Sequence, residues 1–125
     1  MIAPYHAIYT IIRGRPERVL VPTYYRRGDW AVHRLRPGRH GDITEGWAVT
    51  HLPSGRAVAL VDTARQARAW CDQASTLPPL RVRWGHPADP SDPGARAVYV
   101  LRELWRRGEM SYRARQRRAR PTHTP

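Results

Sequence analysis

The chain has 125 residues, enough for one hydrophobic core and too few for two. All 22 of its basic residues are arginine, against ten carboxylates, and the resulting net charge of +12 points to an anionic partner, most often nucleic acid. A single cysteine, Cys71, excludes an internal disulfide and a cysteine-based zinc site, no apolar run approaches the ~18 residues of a membrane span, and the N-terminus lacks the basic region of a signal peptide, so a soluble cytoplasmic chain is expected.

The first predicted element is a strand in "HAIYTIIR" at 6–13, where β-branched and aromatic residues dominate. "GRPE" at 14–17 breaks it, and "RVLVPTYY" at 18–25 reads as a second strand. Pro22 lacks an N–H, which confines that strand to an edge or a bulge. "RRGD" at 26–29 is a turn and "WAVHRL" at 30–35 a third strand. A polar loop with three glycines follows at 36–46.

"WAVTHL" at 47–52 and "RAVALV" at 56–61 flank "PSG", which predicts a hairpin. A three-residue loop there pairs Leu52 with Arg56, Thr50 with Val58 and Ala48 with Leu60. The decapeptide at 47–56 matches the one at 30–39 in six of ten positions. Two neighbouring strands of one antiparallel sheet account for this, each opening on Trp and Val and closing on a glycine turn. Trp30 and Val32 then share the core face with Trp47 and Val49.

Thr63 and Gln66 make a capping-box pattern ahead of a helix whose Ala64, Ala67, Trp70, Cys71 and Ala74 recur at helical spacing. Residues 75–94 are a proline-rich connection in which "LRVRW" at 80–84 alternates like a short strand. Asp92 and Pro93 start a second helix, at 95–110, with Ala97, Val98, Leu101, Leu104 and Trp105 on its apolar face and Gly108 at its weak point. Residues 111–125 are basic and nearly devoid of apolar side chains, and read as a flexible tail. The fold expected is α+β. Residues 1–74 form an antiparallel sheet of four to five strands with one helix on a face, and the C-terminal helix packs on the same core.

The charge is uneven. Residues 102–125 hold eight arginines against two acids, and residues 1–61 nine against four. Three groups are candidate nucleic-acid contacts. The tail offers Arg113, Arg115, Arg117, Arg118 and Arg120, since guanidinium groups neutralise phosphates and release counterions. The second helix adds Arg102 and Arg106, while Arg107 is expected to pair with Glu103 one helical turn earlier. Around the second turn, Arg26, Arg27, Arg34, Arg36 and Arg39 interleave with Tyr24 and Tyr25, a mixture that suits stacking on bases and gripping the backbone. The six histidines show no metal-ligand spacing, and the motifs of phosphate loops and serine hydrolases are absent, so no metal, no cofactor and no catalytic residue is expected.

Residues 29–74, with "DWAVHRL", "GWAVTHLPSGRAVALV" and "DTARQARAW", resemble the three-stranded, one-helix DNA-binding domains of phage-type integrases and AP2-like proteins. The resemblance implies strands lying in the major groove with the helix behind them. Arg34, His33, Thr50 and Arg56 would then be the contacts, on the face turned away from the helix. The function expected is that of a small non-enzymatic nucleic-acid-binding accessory protein of a phage or mobile element. Two alternatives are an inhibitor or adaptor that binds a host protein or nucleoprotein, such as a polymerase or CRISPR effector, and a metal-free ribonuclease built on His, Arg and Tyr.

Overall fold

A computed structural model describes residues 5–35 and 46–119, with residues 108–119 described by their backbone only. The fold is α+β, built from two antiparallel sheets and two helices. β1 (Tyr5–Ile12) and β2 (Arg15–Pro22) form a two-stranded ribbon. β3 (Tyr25–Arg27), β4 (Trp30–Leu35), β5 (Gly46–His51) and β6 (Arg56–Val61) form a four-stranded sheet in that order. α1 spans Ala64–Ala74 and α2 spans Pro93–Ala119.

The ribbon turns at Arg13 and Gly14, whose φ values of 51° and 76° are the two left-handed residues that a type I′ hairpin requires. The strand expected at 18–25 is split. Pro22 is the last residue of β2, where a missing N–H costs no ladder bond, and the chain then crosses to the second sheet. There the Tyr24 N–H donates to the Val32 carbonyl at 2.9 Å and β3 begins.

In the sheet, Val32 faces Val49 and Trp30 faces His51, so the two similar decapeptides are neighbouring strands, as their patterning predicts. The β5–β6 connection differs from the expected three-residue loop. His51 pairs with Arg56 across a four-residue loop, and the Leu52 N–H is drawn to the Asp29 carbonyl at 2.8 Å. A bulge restores the register. Thr50 pairs with Ala57 and Val49 with Ala59, leaving Val58 as the extra residue, and Ala48 meets Leu60 as anticipated.

Both faces of β4 and β5 are buried. On one, Trp30, Val32 and Val49 join Ala67, Trp70, Cys71 and Ala74 of α1 and Val98 and Leu101 of α2 in the core. On the other, Ala31, His33, Ala48 and Thr50 are buried, and the His6 ring of the ribbon lies 5.4 Å from the His33 ring. The ribbon therefore forms a third layer over the sheet.

α1 is held by both bonds of its capping box, Gln66 N–H to Thr63 Oγ1 and Thr63 N–H to Gln66 Oε1, each 3.1 Å. α2 starts as expected, with Asp92 Oδ2 accepting the Ala95 N–H at 3.2 Å. It does not stop near residue 110. The backbone stays helical through Gly108 to Ala119, because one glycine costs only about 1 kcal/mol in a run of arginine, glutamine and alanine, all good helix formers. Leu104, expected on the core face, is exposed. Residues 80–84 are not a strand. Pro78 and Pro79 bring no N–H to a ladder, and the segment is fixed by contacts instead. Gly94 lies so close to Pro79 that a Cβ there would come within 2.4 Å of its carbonyl oxygen, and the Gly85 N–H donates to the Ser54 carbonyl at 2.8 Å.

Candidate nucleic-acid interface

The candidate residues around the β3–β4 turn divide into two sets. Arg27 and Tyr25 are held by α1. The Tyr25 hydroxyl donates to Asp72 Oδ1 at 2.5 Å, Arg27 Nη1 sits 3.2 Å from the same oxygen, and the Arg68 guanidinium lies 4.7 Å from the Tyr25 ring centre. The Tyr25 hydrogen bond and the Arg27 charge hold the Asp72 carboxyl below the usual carboxylate range. These contacts tie β3 to α1. Arg26 and Arg34 are exposed and have no ion-pair partner among the described residues. Tyr24 is half-exposed, with its ring centre 4.6 Å from that of Trp47 and the two planes tilted by 55°. Arg36, Arg39 and Arg120 lie outside the described residues, as do the side chains of Arg113, Arg115, Arg117 and Arg118.

Of the four contacts that the integrase-like resemblance implies, His33 and Thr50 are buried beneath the ribbon and out of reach of a ligand. Arg34 pairs with Trp47 and has the strand parity of Trp30 and Val32, so it lies on the helix side of the sheet and not the opposite one. Arg56 is exposed, and its guanidinium donates to the Gly85 carbonyl at 3.0 Å.

The structure brings distant arginines together elsewhere. A half-open groove of about 810 Å³ runs between β6, residues 80–90 and the first turns of α2. Its floor is apolar, from Val58, Leu80, Val82 and Val98, and Arg56, Arg96, Arg102, His86 and Tyr99 stand along it. A second groove of about 460 Å³ shares Val58, Tyr99 and Arg102 and continues to Trp105 and Arg106. The two form one trough with Tyr99, 62% exposed, at its centre. Among the described residues Glu103 is the one carboxylate lining it, and it is 3.9 Å from Arg106 on an exposed surface. That pair runs to Arg106, not to Arg107 as the four-residue spacing suggests. An exposed pair of this length holds neither partner firmly, which leaves Arg106 open to a competing anion.

No family model, curated protein or solved structure matches the chain. The interface is therefore argued from its own geometry.

Arg56, Arg102 and Arg106 are candidates from sequence that the fold places in one trough. Arg96, His86 and Tyr99 were not singled out. A signal for Tyr99 exists in the helical spacing. Positions 99, 102, 106, 113 and 117 recur at three, four or seven residues and share one side of α2. The basic side of the trough thus runs along the helix axis toward the arginine-rich end. The part played by β6 and His86 has no such signal, because it arises from loop packing. Among the described residues, no three metal-ligating side chains gather at one point, and no helix is long and apolar enough to cross a membrane.

Proposed function

We propose that this protein binds nucleic acid through the trough between β6 and α2, gripping phosphates with Arg56, Arg96, Arg102 and Arg106 while Tyr99 offers its ring to a base. It acts as a binding protein and not as an enzyme. One observation carries the reading. Four arginines from two separate elements converge with an exposed tyrosine on an apolar-floored groove that, among the described residues, a single carboxylate lines. A groove of this composition supplies both parts of backbone recognition, cations at the rim and a flat π surface between them. The arginine-rich end of α2 extends the same charge along the strand.

The test is affinity for duplex DNA, single-stranded DNA and RNA across ~50–300 mM salt, for the full chain and for R96A/R102A/R106A. Each phosphate contact contributes about 0.9 to the slope of log affinity against log salt on a duplex and about 0.7 on a single strand. The triple variant is expected to flatten the slope by roughly two to three units. Tyr99→Ala is expected to weaken single-strand binding by about 1–3 kcal/mol and to leave the slope unchanged. Absence of binding to all three at ~100 mM salt, or a slope indifferent to the triple variant, sinks the proposal.

A further inference from the structure

The ribbon layer has a part that covers nothing. Residues 11–18 are exposed without interruption, through the end of β1, the turn and the start of β2. Consecutive strand residues point to opposite faces, so a strand lying on a core shows alternation. Ile11 and Ile12 are adjacent, occupy opposite faces and are 55% and 46% exposed. Neither face of the ribbon is covered there, so its distal end stands free of the body as an arm. Ile11 is directly across from Pro16, and Ile12 from Arg15.

The composition of this arm is specific. It carries Arg13 in the turn, Ile12 and Arg15 directly beside the turn, Ile11 and Pro16 one step behind them and Arg18 further back, against the one acid Glu17. Isolated surface isoleucines need no explanation, but an exposed apolar pair close behind the turn of a cation-flanked ribbon suits insertion beside an anionic polymer. The base of the arm is fixed next to the trough. The Tyr9 N–H donates to the Gly55 carbonyl at 2.7 Å, the Arg56 guanidinium lies 5.7 Å from the Tyr9 ring centre, and the Arg18 guanidinium lies 4.2 Å from that of Trp84.

We infer that the β1–β2 arm is a second nucleic-acid contact, in which Ile11 and Pro16 wedge into the minor groove of a duplex while Arg13, Arg15 and Arg18 hold the flanking phosphates. This inference rests on the nucleic-acid reading of the trough. The ribbon is too wide to enter a minor groove of ~6 Å, but Ile11 and Pro16 are a cross-strand pair on one face, one register step behind the turn, and from a ribbon laid against the groove their side chains reach in, unstack a base step and kink the helix. Charge complementarity chooses the occupant: an apolar protein pocket would take the isoleucines and leave three arginines unanswered.

The experiment uses the full chain and a ~30-base-pair duplex labelled at its two ends for energy transfer. The variants are I11T/I12T, which keeps β-branched side chains, and R13G, which keeps the hairpin because glycine accepts a left-handed φ without strain. Both should retain the parent's melting temperature. Binding of the parent is expected to shorten the end-to-end distance. I11T/I12T should abolish most of that shortening and weaken duplex binding roughly tenfold, with single-strand affinity unchanged. R13G should lower the duplex salt slope by about 0.9. An undistorted duplex under the parent protein overturns the wedge. So does unchanged bending and affinity in I11T/I12T while R96A/R102A/R106A still weakens binding, an outcome that leaves the trough reading standing. Failure of the parent to bind any nucleic acid overturns both.

Discussion

Acid should destabilise this protein well above the pH at which its carboxylates protonate. His6, His33 and His51 are buried, and burial is the leading cause that lowers the pKa of each. His6 is the largest case, brought from 6.5 down to about 4, with His33 and Arg26 adding repulsion to the desolvation. Its Nδ1 has Thr23 Oγ1 at 2.7 Å, but its Nε2 has no protein partner among the described residues, so a second ring proton would be buried unpaired. The unfolded imidazole takes its proton near pH 6.5, and the folded one holds off to about 4. The stability from neutral His6 is therefore complete above pH 6.5, falls as the pH drops below it, and levels off near 4. Integrated between pH 7.5 and 5.0, a pKa shift of this size costs about 2 kcal/mol, or roughly an 8 °C fall in Tm for a domain of this length. His33 and His51 act in the same direction. Thermal melts at fixed ionic strength across that range measure it, and His6→Gln, which cannot titrate, should melt with a visibly flatter pH profile. A Tm constant from pH 7.5 to 5.0, or a His6→Gln profile parallel to the parent's, would refute the reasoning.

Two further outcomes follow from single positions. Gly28 and Gly55 both have positive φ, but a Cβ at Gly28 meets open space whereas one at Gly55 would lie 2.3 Å from the Trp84 ring. Gly28→Ala should cost about 1 kcal/mol from backbone strain alone, and Gly55→Ala about 1–2 kcal/mol more, as Trp84 is displaced. Denaturant titration of the two variants compares them directly, and equal losses would contradict the Trp84 contact. Cys71 is fully buried, which pushes its thiol up to about 11. It should react with a thiol reagent only as fast as the native state opens, and rapid labelling at pH 8 would show that α1 does not seal it.

Much of the central sheet and α1 is legible in the sequence because local chemistry specifies it. Trp-Ala-Val repeated at 30–32 and 47–49 marks paired strands, Thr63 with Gln66 caps a helix, and Asp92 with Pro93 opens another. Each signal is carried by neighbours within a few residues, and each holds. The signals that misled were also local. Pro22 in "RVLVPTYY" marks a strand end, but only the folded chain shows that Tyr24 and Tyr25 pass to another sheet. Gly108 is a poor helix residue, yet a helix already nucleated and packed through Val98 and Leu101 runs past it.

The trough was the least legible feature. Arg56 and Arg102 are far apart in sequence, and nothing in either segment predicts that β6 and α2 share a groove floor. The turn-flanking arginines looked the more coherent cluster, and there α1 supplies Asp72 to Arg27 and Tyr25 and turns two candidates into a tie between elements. Composition alone determined that this protein carries a large positive charge and one core, and periodicity marked most of the strands and both helices, but not the split at Pro22, the length of α2 or the irregular course of residues 80–84. Tertiary structure decided which arginines are spent on contacts within the fold and which are open to a ligand. The physical reason is one of range. Propensity and capping act over a few residues, whereas the availability of a charge depends on which distant carboxylate, carbonyl or ring the fold brings within reach.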